Sequence, residues 1–228
     1  NTAVGMGALS ANIANNNTAV GYLAIYHNTT GEDNNAFGYR ALASNTTGYY
    51  NNAFGSYALS ANTSNTNNAF GYQALASNTT GYNNNAFGYG ALTSNVSGAF
   101  NTAFGHEALL YNEKNSNTAI GYRALTYNTS GGGNLAIGVQ ALYRNTSGKL
   151  NVAIGNFALI LNDSGSGNSA VGSYALSANT ASDNTAFGYR AVLSNVSGSN
   201  NTAVGSYSLY SNISGSGSNA FGYCALYS

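Results

Sequence analysis

At one recurring corner, ten asparagines head an N-x-S/T triplet: Asn28, Asn45, Asn62, Asn78, Asn95, Asn128, Asn145, Asn162, Asn195 and Asn212. The triplet is the acceptor signal for N-linked glycan, and it also builds a capped turn, because Asn, Ser and Thr side chains bond nearby backbone groups. The two uses need opposite orientations. A glycan requires an amide in solvent, whereas a cap turns the amide inward. The other reactive side chains are scattered. His27 and His106 lie far apart, with no second His or Cys in register. Glu32 and Asp33 form the one adjacent acidic pair and sit at a loop tip, whereas glycosidase carboxylates face each other across a cleft. Gly131-Gly132-Gly133 lacks the Lys-Ser/Thr and following helix of a phosphate loop. Cys224 is the single cysteine, so no intrachain disulfide forms. The expectation is a chain that is not an enzyme and has no catalytic, cofactor or metal residue.

Composition narrows the classes further. Charged residues are 5% of the chain and the formal net charge is zero, so no basic stripe exists for phosphate backbones and nucleic acid is not an expected partner. No apolar run approaches the length of a membrane span. Low charge here does not mean disorder, because 43% of the residues are hydrophobic and they recur periodically. The chain has no proline, as suits strands that must all donate to a neighbour.

What positions the asparagines is a repeat. A glycine recurs at Gly5, Gly21, Gly38, Gly55, Gly71, Gly88, Gly105, Gly121, Gly138, Gly155, Gly172, Gly188, Gly205 and Gly222, in 14 copies spaced by 16 or 17 residues. Counting from it, position −2 is always Ala and position −1 always Val, Ile or Phe. Position +3 is Ala except at Ser208, +4 is Leu except at Ile25 and Val192, and +7 is Asn. The four 16-residue spacings begin at Gly5, Gly55, Gly105 and Gly172 and carry Asn15, Asn65, Asn115 or Ser182 at +10, where the longer ones carry Gly. Gly and Asn tolerate a left-handed backbone, so +10 reads as a tight corner. Gly5, Gly55, Gly105, Gly155 and Gly205 are 50 residues apart, which indicates a duplicated module of three repeats.

Helices do not fit this pattern, since a central glycine costs about 1 kcal/mol in each one. Two short strands per repeat, joined at Gly and Asn corners, accommodate every slot. The fold expected is all-β: a flattened parallel β-solenoid over residues 1–228, a single domain cut from a longer fibrous protein, with about 14 coils of 16 or 17 residues. Like residues then stack at about 4.8 Å. Phe37, Phe54, Phe70, Phe87 and Phe104 form one ladder and the leucines a second, both placed inside. Asn rows at −4 and +7 bond along the stack. A tyrosine row (Tyr22, Tyr39, Tyr72, Tyr89, Tyr122) runs beside the alanines, and side-by-side association would bury that face.

NTAVG at Asn1–Gly5, NTAFG at Asn101–Gly105 and NTAIG at Asn117–Gly121 resemble the SVAIG-type motif of YadA-like trimeric autotransporter adhesin heads. GYRALASNTTG at Gly38–Gly48 and GYQALASNTTG at Gly71–Gly81 are similar to the NTAxGYxALxxNTTG arrays of bacterial and phage surface proteins with tail fibre domains. The resemblance covers nearly the whole chain, with a longer coil than the adhesin heads. It implies a left-handed roll, commonly trimeric, in an extracellular fibre at a cell surface or on a virion. The function expected is a non-catalytic, self-associating structural or adhesive shaft, whose partners are further copies of itself and surface glycans or a host receptor. A second reading is an ice-binding solenoid using Thr and Asn at −3 (Thr2, Thr18, Asn35, Asn52) and Thr at +8. A third is a tail-fibre segment that recognises surface glycans.

Overall fold

The structure, a computed structural model, describes residues 1–227 and contains strands and turns but no helix. It is an all-β parallel solenoid. The chain divides into two compact units, Asn1–Asn115 and Ser116–Ser228. In the first, seven three-residue strands from β1 (Thr2–Val4) to β7 (Thr102–Phe104) pair in parallel, in chain order. In the second, β8 (Thr118–Ile120) to β14 (Asn219–Phe221) do the same. Register is fixed slot on slot: Asn85 pairs Thr102, Ala86 pairs Ala103 and Phe87 pairs Phe104.

Each coil holds one strand, not the two expected. Positions −3 to −1 are extended, and then Gly88, at φ 140°, ends the strand. A Cβ at Gly88 would collide with the Gly105 carbonyl of the next coil, so stacking itself demands glycine there. The rest of the coil is a run of turns. Ala91 donates its N–H to the Gly88 carbonyl (3.4 Å), and Asn95 donates to Leu92 (3.1 Å).

The second strand is lost to an unforeseen backbone state. Leu42, Leu59, Leu75 and Leu92 at +4 have φ of 54, 51, 52 and 54°. A left-handed conformation costs about 1–2 kcal/mol for a residue with a side chain. It also breaks the alternation of side chains, so Ala91 and Leu92 are consecutive and both fully buried. Burying a leucine contributes about 1.5–3 kcal/mol, which more than offsets the backbone term.

The interior is thin and half polar. Per coil it comprises Ala at −2 and +3, Leu at +4, and Asn at −4 and +7. Asn84 takes one side of this ladder. Its backbone N–H donates to Asn67 Oδ1 (3.1 Å), and its Nδ2 donates to Asn67 Oδ1 (3.2 Å) and to the Gly98 carbonyl (2.8 Å). From the other side, Asn95 Nδ2 donates to Asn78 Oδ1 and Gly98 O, both at 2.9 Å. The corner carbonyl thus takes two amide donors, and nearly all buried side-chain polar atoms of the described residues are satisfied along the stack. The expected Asn rows are present.

The phenylalanine ladder lies on the other side of the wall from its expected place. Phe37, Phe54, Phe70, Phe87 and Phe104 stack in register but face outward, Phe37 being 36% and Phe104 58% exposed. Strand alternation decides this: Ala86 points in, so Asn85 and Phe87 must point out. An interior already crossed by Leu92 and two asparagines has no volume for a phenyl ring.

The corner slot also needs correction. Gly31, Gly48, Gly81 and Gly98 at +10 are not left-handed; the residue two positions on is, as at Asp33, Tyr50, Asn83 and Phe100. Glycine is required at +10 because a Cβ would strike the preceding Asn Oδ1 and a carbonyl of the next coil. In the short coils the missing residue falls between the +8 residue and the corner, since Thr63 keeps the bonds that Thr79 makes in a long coil. Asn62 Nδ2 donates to Ser64 O, two residues on, where Asn78 donates to Gly81 O, three on. Ser64, rather than Asn65, therefore replaces the corner glycine. Asn65 Oδ1 accepts instead from the Tyr49 N–H (3.0 Å).

Candidate interaction faces and groove

These ten corner asparagines do not present themselves for modification. Asn28, Asn45, Asn62, Asn78, Asn95, Asn128, Asn145, Asn162 and Asn195 are fully buried. Their Nδ2 atoms, where a glycan would attach, donate to corner carbonyls, as Asn145 does to Gly148 O (3.0 Å) and Asn195 to Gly198 O (2.8 Å). Asn212 alone is partly exposed. In the folded chain these residues are the inner ladder.

The strand face carries three parallel rows in Asn1–Asn115. At −3, Asn35, Asn52, Asn68 and Asn85 pass amide hydrogen bonds along the stack at 3.0, 2.7 and 2.8 Å. At −1, the rings of Phe37, Phe54, Phe70 and Phe87 stack with centroids 4.7 Å apart and planes within 10°. Each ring covers its neighbour's face, so the column shows partners only ring edges. At +1, Tyr22–Tyr39 and Tyr72–Tyr89 stack at 5.3 Å. Ser56 interrupts that row, and Tyr57 from the adjacent slot fills the gap, edge-on to Tyr39 (5.2 Å) and Tyr72 (6.3 Å). A side-chain hydrogen bond with Tyr39 raises the pKa of Tyr57 above the ordinary phenol value. In Ser116–Ser228 the −1 row continues as Ile120, Ile137, Ile154 and Val171, with Leu135 and Val152 beside it at −3.

Titratable side chains do not converge. His27 packs edge-on against Tyr26 (4.6 Å), and His106 stacks on Tyr89 (5.0 Å) with its Nδ1 3.9 Å from Glu107. Among the described residues no group of three His, Cys, Asp or Glu side chains gathers. The threonine hydroxyls at +8 are used as donors: Thr29 bonds Thr46 O (2.9 Å), Thr79 bonds Val96 O (3.1 Å) and Thr180 bonds Val196 O (2.8 Å).

The repetition suggested no cleft, yet one is present. In the second unit a groove of about 1050 Å³ runs along the stack between the +5/+6 and +8 rows. Positions +6 and +8 both point outward, because the asparagine between them points in. One wall is Tyr127, Tyr143, Arg144 and Leu161; the other is Thr146, Asp163 and Thr180. In the first unit, Ala43, Ser44, Ser60 and Ala61 hold the +5/+6 slots of two coils, and a smaller hollow of about 340 Å³ lies between them and the +2 residues Leu23, Arg40 and Tyr57. The sequence signal is a run of large residues over successive coils, Tyr127, Tyr143-Arg144 and Ile160-Leu161, in slots whose occupants vary from coil to coil.

These features define the class as a parallel β-solenoid repeat protein with one short strand per coil. No family model, curated protein or solved structure matches the chain.

Proposed function

We propose that the chain is a structural shaft of an extracellular fibre or adhesin that associates side by side with copies of itself and performs no catalysis. The observation that carries this reading is the phenylalanine column Phe37–Phe104, held outside on a flat strand face. A row of stacked apolar edges, flanked by tyrosines and nearly free of charge, suits a dry contact with a like surface. Hydrophobic contact of this kind strengthens in sulfate and is nearly insensitive to screening by simple salt.

Sedimentation equilibrium of the purified chain, beside a Phe54→Ser/Phe70→Ser/Phe87→Ser variant, tests the reading. The parent forms a defined oligomer and the variant sediments as a folded monomer, with an unchanged far-ultraviolet spectrum. A parent that stays monomeric at high micromolar concentration overturns it.

A further inference from the structure

We infer that the groove on the second unit is a binding site for a neutral, hydroxyl-rich oligosaccharide lying along the stack. This goes beyond the shaft reading and uses a different face.

Most of the backbone around the groove is already paired along the stack. Tyr127 N–H donates to Tyr143 O, Arg144 to Ile160 O and Leu161 to Ser177 O, and the other wall is stacked likewise from Thr129 to Thr146 and Thr146 to Asp163. An extended peptide adding as a strand would find no continuous row of free partners. Recognition must come from side chains.

Those side chains have a definite donor and acceptor pattern. Thr146 Oγ1 spends its proton on Asp163 Oδ1 (2.6 Å), and Thr129 and Thr180 spend theirs on carbonyls of the next coil. The threonine row therefore presents lone pairs, joined by the Asp163 carboxylate. Across the groove, the Arg144 guanidinium makes no hydrogen bond or ion pair with any described residue. Gln140 supplies both a donor and an acceptor, and the Tyr127–Tyr143 pair (5.0 Å, edge-to-face) adds aromatic surface. An anion would meet a row of acceptors and a carboxylate. A cation would meet the guanidinium. A ligand with alternating hydroxyls gives protons to one wall and accepts from the other, and its apolar ring faces suit tyrosine and leucine. Contact along four coils, at about 4.8 Å each, favours an oligomer over a single sugar.

The test is calorimetric titration of the whole chain with cellohexaose, maltohexaose and mannohexaose, and with hexagalacturonate as the acidic counterpart. At least one neutral hexasaccharide binds. Arg144→Ala weakens it by about tenfold or more, the loss of one charged hydrogen bond. Ala178→Trp fills the groove and abolishes binding, while Arg40→Ala, in the first unit, leaves it unchanged. Retained binding in Ala178→Trp, preference for hexagalacturonate, or no neutral hexasaccharide bound at millimolar concentration overturns the proposal. Repeating the titration on the triple Phe→Ser variant separates the two readings: loss of association with sugar binding retained sinks neither.

Discussion

Asn45 Oδ1 is buried and accepts no hydrogen bond, although Asn62 occupies the same slot in the following coil. The Asn62 amide is drawn away to Ser64 O because its coil is one residue short. Other entries into short coils show the same stretching: Asn112 reaches Asn95 at 3.2 Å and Asn179 reaches Asn162 at 3.5 Å, against 2.9 Å between long coils at Asn95 and Asn78. Leaving a short coil the contact tightens to 2.7 Å, at Asn78–Asn62 and Asn195–Asn179. An unsatisfied buried acceptor costs about 1–3 kcal/mol. Replacing residues 62–66 with the six-residue corner Asn78–Asn83 should therefore raise the melting temperature, by an amount equivalent to about 1 kcal/mol. A lower melting temperature would show that the short corner is optimal as it stands.

The two glycines of one coil should respond differently to a methyl group. Gly88→Ala drives a Cβ into the Gly105 carbonyl at a φ of 140°, and loss of several kcal/mol or failure to fold is expected. Gly90→Asn places a residue that tolerates the left-handed region at φ 65°, where the nearest atom to a Cβ is 3.5 Å away. Its melting temperature should move little. Thermal denaturation of both variants checks the contrast.

Inside and outside apolar rows should separate in the same way. Leu92→Ala empties a fully buried site and should cost about 2–5 kcal/mol. Phe87→Ser removes one member of a stacked outer column, a cross-strand term of about 0.2–1 kcal/mol in the isolated chain. If the second change proves as costly as the first when denaturation is followed on monomeric protein, the outward placement of the ring is wrong.

Folded protein secreted from a glycosylating host should carry no glycan at Asn45, Asn78, Asn95 or Asn145, whose amides are enclosed and bonded. Access is found at Asn212, which is partly exposed, and at Asn16 and Asn200, two exposed positions that also head N-x-T triplets. Peptide mass mapping of the folded fraction decides it; occupancy at the enclosed positions would require a different corner.

The parallel solenoid and its register were legible because the same residue types return at fixed offsets from the glycine. The side of the wall was not. Ala86 and Phe87 are adjacent and both apolar, and the rule that the larger apolar residue goes inside gives the wrong answer in so narrow a coil. Nor does leucine announce a left-handed backbone; Leu92 adopts one because stacking and burial outweigh its local preference. That conformation, together with a left-handed residue at +2 such as Gln73 at φ 55°, replaced the second strand with turns. The groove was hidden for a different reason: a search for titratable clusters passes over Tyr143, Arg144 and Leu161, whose slots vary from coil to coil and so carry no repeat signal.

Since successive layers of the interior are built from interchangeable residues, unequal recombination between two layers would leave no mismatch at the splice. Such a protein can evolve its reach in increments of one winding while its cross-section stays constant. A family of length variants, each as sound as its parent, is open to this architecture in a way that it is not to a globular enzyme.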